Sequence, residues 1–350
     1  MSGLKMAVIG VGALGRHHAR IVSQIPGVEL IAVADPNETQ GRQVAESAGT
    51  KWVGDHRTLI DEVDAVTIAV PTGFHLRVAT DFLENGIHSL VEKPLTADLT
   101  EAVQLVRLAQ QTGAILQVGH VERFNPAFQA AAKLCDQPRY IRAERLSPFS
   151  FRSTDIGVVH DMMIHDLDLV MSLVSSPVAR VEAFGITLMG EHEDAVQARL
   201  TFENGCVADL SASRIHPSTR RAATIWTATR CVNVDFGSRE VTSYSPSTRL
   251  QFGKSPVDRA RLPGANIERL KQEVFGSFIE VQKEVPAAQD ALTAEITEFV
   301  DCVRSGSQPT VTGIVAIEAL KVAERILGLL AVQNLIEERT PAISAVRRAA

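Results

Sequence analysis

The stretch Lys5-Met6-Ala7-Val8-Ile9-Gly10-Val11-Gly12-Ala13-Leu14-Gly15 decides the fold. Lys5 to Ile9 reads as a short apolar strand buried on both faces. Gly10-Val11-Gly12-Ala13-Leu14-Gly15 then spells G-x-G-x-x-G, and Leu14 to Gln24 reads as a helix stopped by Pro26-Gly27. The glycine motif is weak alone and gains its meaning from this order of strand, turn and helix. Gly10 permits the tight turn, Gly12 lets a pyrophosphate approach the backbone, and Gly15 lets helix and strand pack closely. Ala13 and Leu14 complete the turn, at a helix N-terminus whose N–H groups suit phosphate. Asp35 ends a second strand, Val28 to Ala34, roughly 20 residues past Gly15. A carboxylate there accepts hydrogen bonds from ribose hydroxyls and repels a 2′-phosphate, so the expected cofactor is NAD rather than NADP.

Working outward, the same alternation continues. Trp52-Val53, Ala65 to Val70, Ile87 to Val91 and Ala114 to Val118 read as further strands. Phe74 to Glu84 and the stripe Leu99, Ala102, Val103, Val106 and Ala109 read as helices between them. Apolar strands separated by helices predict a doubly wound parallel sheet, a Rossmann domain over residues 1–122. Beyond it the pattern changes. Arg139 to Arg145, Val178 to Met189, Ala195 to Phe202, Val207 to Ser213 and Ala222 to Val234 read as successive long strands. One helix interrupts them, Val158 to Leu173, and strands in runs imply an antiparallel sheet. Residues 237–287 give no clear periodicity, and two helices follow, Ala291 to Arg304 and Ile314 to Asn334. The expectation is therefore α/β: the Rossmann domain plus an α+β domain over residues 123–338, with residues 339–350 as a tail.

The bulk numbers agree. A chain of 350 residues exceeds what one hydrophobic core usually serves. With 45% hydrophobic and 22% charged residues it has ordinary globular composition. A formal net charge of −6 speaks against nucleic-acid binding. Cys135, Cys206, Cys231 and Cys302 form no C-x-x-C pair, so neither a disulfide framework nor a metal site is expected. Met1 to Lys5 shows no apolar leader and no membrane-length apolar run follows, which predicts a soluble cytoplasmic protein.

Two clusters carry the candidate chemistry. Glu92-Lys93-Pro94 ends the fifth strand, at the sheet edge where ligands bind in such folds. Asp161 and His165 lie one turn apart on the Val158 to Leu173 helix, where a carboxylate can orient and tune an imidazole. Oxidation of an alcohol needs such a base while hydride leaves to a nicotinamide. Asp166 reads as a solvated helix charge, Asp168 stays open, and His160 reads as a surface or interface histidine.

With these residues in view, the chain resembles the Gfo/Idh/MocA oxidoreductases over nearly its whole length. The resemblance rests on the glycine motif, Val70-Pro71-Thr72 with His75, Glu92-Lys93-Pro94, Gly119 and the Asp161/His165 helix. Ala294-Glu295-x-x-x-Phe299 and Gly306-x-x-Pro309 also fit. It implies a second domain built on a large open antiparallel sheet. It implies Lys93 and His165 beside the nicotinamide, Asp161 in a relay position, and Pro71, Thr72, His75, Glu92 and Lys93 among the cofactor-binding residues. Gly119-His120-Val121-Glu122-Arg123-Phe124-Asn125-Pro126 resembles the branch that oxidises the 3-hydroxyl of UDP-N-acetylglucosamine. So does Arg145-Leu146-Ser147-Pro148-Phe149 with Arg152 and Asp155, while His160 departs from the expected apolar residue. Arg123, Asn125, Arg145 and Arg152, with His165, are then the candidate substrate residues, since guanidinium suits phosphate. The alternative for each arginine is an interface or interdomain salt bridge.

The expected activity is an NAD-dependent dehydrogenase of a UDP-sugar, with either Lys93 or His165 as the base. The rivals are a dehydrogenase of free polyols such as inositol, and a non-enzymatic dinucleotide sensor. An open sheet with one uncovered face predicts a homodimer or homotetramer.

Overall fold

The computed structural model describes residues 3–151, 154 and 156–339. Arg152, Asp155 and the tail from residue 340 therefore lie outside the described residues. Among the described residues two compact units form, one from residues up to 124 with 289–324, the other from residues 125–288 with those from 325 onward.

The first unit runs β1 (Leu4–Ile9), α1 (Gly15–Val22), β2 (Val28–Ala34), α2 (Glu38–Ala48), β3 (Lys51–Val53), β4 (Ala65–Ile68), α3 (His75–Leu83), β5 (His88–Glu92), α4 (Leu99–Thr112) and β6 (Leu116–Gly119). The strands pair in parallel in the order β3-β2-β1-β4-β5-β6, the doubly wound order with its switch point between β1 and β4. Local chemistry sets the helix limits. Asn37 and Asp98 accept from the Gln40 and Glu101 amides to cap α2 and α4, and left-handed Gly49 and Gly113 end them. All four residues of β4 are buried, as a strand covered on both faces requires.

The second unit holds α5 (Pro126–Leu134), β7 (Tyr140–Leu146), α6 (Ile164–Val174), β8 (Val178–Ile186), β9 (Ala195–Phe202), β10 (Val207–Ser213), β11 (Arg220–Trp226), β12 (Cys231–Asp235), β13 (Glu240–Pro246), the short helices α7 (Thr248–Phe252), α8 (Pro256–Ala260) and α9 (Ile267–Gln272), and β14 (Ile279–Glu284). Its eight strands follow the order β14-β13-β12-β11-β7-β10-β9-β8. All neighbours are antiparallel except β7 and β10, which run parallel. Helix α5 packs on β12 and β13, and α6 on β7 and β10. Along β7, Ile141, Ala143 and Arg145 are buried while Tyr140, Arg142 and Glu144 alternate with them. Tyr140, Arg142, Arg199 and Asp209 line a groove of about 580 Å³ in this sheet, and Arg199 donates to Asp209 through Nε and Nη2 at 2.7 and 2.8 Å.

Three differences from the sequence reading have physical causes. The run Ala222 to Val234 is two strands, not one. Thr227 turns the chain, its Oγ1 accepting from the Thr229 and Arg230 amides, and no Gly or Pro marks the turn. The Val158 to Leu173 helix opens as a π-helical turn, Val159–Met163, before becoming α6. Finally, α10 (Ala291–Ser305) joins the first unit, where Ile296, Phe299 and Val300 pack with Val8, Ile21 and Leu90. The helix α11 (Gly313–Arg339) gives that unit Ile317 and Leu320. No helix among the described residues is long and apolar enough to cross a membrane.

Candidate active site

The glycine turn follows β1 directly. Gly10 holds φ +80°, and a Cβ there would sit 2.8 Å from Val70 Cγ1, so only glycine fits. A Cβ on Gly15 would collide with the Gly10 carbonyl. Gly12 instead faces open space, with nothing within 4 Å of a built Cβ. Ala13 and Leu14 are exposed beside it. The turn thus leaves room at the N-terminus of α1, where the dinucleotide phosphates of this fold belong.

Asp35 has two fixed contacts. Its Oδ2 accepts from the Val11 amide and its Oδ1 from the Asn37 amide, both at 2.8 Å. Gln40 Nε2 donates to the Val11 carbonyl at 2.6 Å, holding the same turn. Each carboxylate oxygen has a second lone pair, so Asp35 keeps acceptor capacity for ribose hydroxyls. The open Gly12 and the anchored Asp35 fit a dinucleotide without a 2′-phosphate.

Around the switch point, Pro71 is exposed and Thr72 is half-buried at the end of β4. His75 is 1% exposed, so it does not offer a surface for direct cofactor contact as the resemblance implied. Its Nε2 faces the Val70 carbonyl and its Nδ1 the Pro94 carbonyl, each at 2.9 Å. It ties the loop after β4 to the loop after β5. Lys93 is half-buried and precedes a cis peptide bond to Pro94. Glu92 is buried and accepts from His18 Nε2 at 3.0 Å, a pairing that sequence reasoning missed. The available signal was the inward stripe Gly15, His18, Ala19 and Val22 on α1. Arg123 is half-buried in a 3₁₀ turn, Val121–Phe124, that follows β6.

In the second unit, Asn125 caps α5, its Oδ1 accepting from the Ala127 amide at 3.0 Å. Arg145, near the end of β7, forks onto Asp166 of α6 at 2.8 and 3.1 Å. Both are buried, so Asp166 is not the solvated charge expected of it; a carboxylate enters a core when a guanidinium meets it. For Arg145 the salt bridge displaces the substrate role as the plain reading. Asp168 is buried as well. Glu193 accepts from the Val159 amide at 3.0 Å and so fixes the start of the π turn. Asp194 accepts from the Leu188 and Met189 amides at 2.6 and 2.7 Å and from Arg214 at 2.7 Å. Arg214 continues to the Ile156 carbonyl at 2.9 Å. Burial pushes the Asp194 carboxyl up, but those two amides and Arg214 outweigh it and hold it below the ordinary carboxylate range. Asp161, in the π turn, and His165, in the first turn of α6, are both half-buried. A π turn shifts register by one residue, so the single helical face expected for them is altered.

The model of an oxidoreductase family with an NAD-binding Rossmann fold matches residues 4–120, and its C-terminal domain model matches residues 135–230. UDP-N-acetylglucosamine 3-dehydrogenase of Acidithiobacillus ferrooxidans is 35% identical over 87% of this chain and 90% of its own. Its solved structure gives a TM-score of 0.82 at 33% identity, covering 94% of this chain and 98% of that one. An NAD(+)-dependent scyllo-inositol 2-dehydrogenase of Bacillus subtilis is 30% identical over 91% of this chain and 92% of its own. The chain belongs to the Gfo/Idh/MocA family and is an NAD-binding oxidoreductase.

Proposed function

We propose that the protein oxidises the 3-hydroxyl of UDP-N-acetylglucosamine, or a close UDP-sugar, to the 3-keto sugar. The similarity to the UDP-N-acetylglucosamine dehydrogenase over most of both chains carries this reading. NAD, held at the glycine turn and Asp35, would supply the acceptor for the hydride that C3 loses. This chain's residues handle the proton. His165 takes the hydroxyl proton and Lys93 hydrogen-bonds the reacting oxygen, stabilising its developing negative charge. The two can exchange roles, and Asp161 serves the imidazole. Arg123 is the first choice for the diphosphate, with Arg152 second and Asn125 a further candidate for the substrate. Arg145 acts on the substrate only through α6, because its fork is held by Asp166.

A free-polyol dehydrogenase is the second reading, favoured by the scyllo-inositol enzyme's similarity. The open sheet, with Trp226 and Phe184 at least half exposed, supports a homodimer or homotetramer through that face. Calorimetric titration into the NAD complex separates the substrates. UDP and UDP-N-acetylglucosamine should bind, free N-acetylglucosamine should not, and Arg123→Ala should weaken the nucleotide about tenfold or more. Binding and turnover of scyllo-inositol with no binding of UDP would establish the polyol reading instead.

A further inference from the structure

We propose that His18 is a positioning residue for Lys93, acting through the Glu92 carboxylate. The proposal rests on the catalytic reading of Lys93 given above. His18 lies on α1, one turn beyond Gly15, and is fully buried. A carboxylate only accepts, so His18 Nε2 carries the proton it shares with Glu92 Oε1 at 3.0 Å. The other carboxylate oxygen accepts from the Lys93 amide at 3.3 Å. The same group fills the space beside Gly119, where a built Cβ would meet Glu92 Oε2 at 2.8 Å. One buried carboxylate therefore joins α1, the end of β5 and the end of β6.

Packing alone does not account for this choice of residues. A leucine or methionine at position 18 would fill similar volume without polar cost. His18 Nδ1 is buried and makes no hydrogen bond among the described residues. An unsatisfied buried ring nitrogen carries a desolvation penalty that an apolar side chain would avoid. What histidine adds is the Nε2 donor that keeps Glu92 satisfied and in place. The helix that begins at the phosphate-facing turn thus fixes the backbone from which Lys93 projects. Dinucleotide and lysine are set by one rigid frame, and misplacement of a catalytic group by about 1 Å can cost up to about 100-fold in rate.

The test follows turnover of UDP-N-acetylglucosamine with NAD in four variants: Lys93→Ala, His18→Ala, their double variant, and His18→Gln. His18→Ala should lower kcat about 10- to 100-fold. The KM for NAD should stay within about twofold, since no contact of Asp35 or Gly12 changes. His18→Gln, which can still donate to Glu92, should recover most of the rate. In the Lys93→Ala background His18→Ala should cost nothing further, because its effect passes through the lysine. A normal kcat for His18→Ala overturns the proposal. So does a loss that persists undiminished in the Lys93→Ala background, or one matched by loss of NAD affinity. If His18→Ala does not fold, Glu92→Gln decides. This amide can accept from His18, but its NH2 then faces the Lys93 amide, so kcat should fall, and should fall no further in the Lys93→Ala background; an unchanged kcat, or an undiminished fall in that background, overturns the proposal. Full activity of Lys93→Ala would instead remove the catalytic reading of the lysine itself.

Discussion

The two units hold their functional side chains by different means. In the first, apolar strands and backbone geometry make most of the frame, with the buried His18–Glu92 pair as its one ionic tie described above. Gly10 sits against Val70, β4 is wholly buried, and Lys93 leaves the end of a strand packed on both sides. In the second, buried ion pairs take that part. Arg145 with Asp166 anchors α6, and Asp194 with Arg214 anchors the chain entering it. Apolar packing has no group that titrates, so pH leaves it alone. A buried ion pair has one, and losing one partner leaves the other stranded. The histidine side of the chemistry is therefore the side that substitution and acid should disturb first.

The largest expected effect tests whether the two sides can be separated at all. Lys93→Ala and His165→Ala should each lower turnover on the order of 100-fold or more. Both should bind NAD normally in a fluorescence titration, since neither belongs to the glycine turn. Loss of NAD binding in His165→Ala would break the comparison. Next is stability. Asp166→Ala should destabilise by about 3–5 kcal/mol in denaturant unfolding, because Arg145 stays buried without its carboxylate. Replacing both residues with apolar ones should recover much of that loss. A cost below about 1 kcal/mol for Asp166→Ala would show the pair to be unimportant.

Smaller effects sharpen the contrast. Asp35→Ala should narrow the preference for NAD over NADP about tenfold, measured by titration of both. Some NAD affinity should go too, because the Val11 and Asn37 amides lose their acceptor. Equal affinities in the wild type would refute the role of Asp35. The smallest effect is on acid stability. The Asp194 carboxyl titrates lower in the folded chain than in the unfolded one. Its stabilisation is present above the unfolded value, near 4, and is lost as pH falls through the folded value. Asp194→Asn should remove that part of the slope and leave a flatter acid limb in urea midpoints taken from pH 5 downward. An unchanged slope would assign the acid sensitivity to other groups.

The same contrast explains what could be read from the sequence. Unbroken apolar runs and the glycine motif gave β1, β2 and Asp35 without ambiguity, because each rests on local chemistry. The buried pairs were not legible. Arg145 and Asp166 are far apart in the chain, and each alone resembles a surface charge. His18 and Glu92 were hidden in the same way. The β11–β12 turn was missed because a threonine hydroxyl stands in for glycine there. Residues 237–287 defeated periodicity because α7, α8 and α9 bury almost nothing. Arg152, a proposed substrate residue, lies outside the described residues.

The place of α10 has a consequence for the history of each molecule. Ile296, Phe299 and Val300 complete one face of the first core, yet they are synthesised after the whole second sheet. During translation the dinucleotide-binding half must wait, with Val8, Ile21 and Leu90 lacking their cover. Contacts of such long sequence separation close slowly, and an apolar face left open meanwhile invites association with other nascent chains. The part of the fold that is easiest to recognise is thus among the last to be finished.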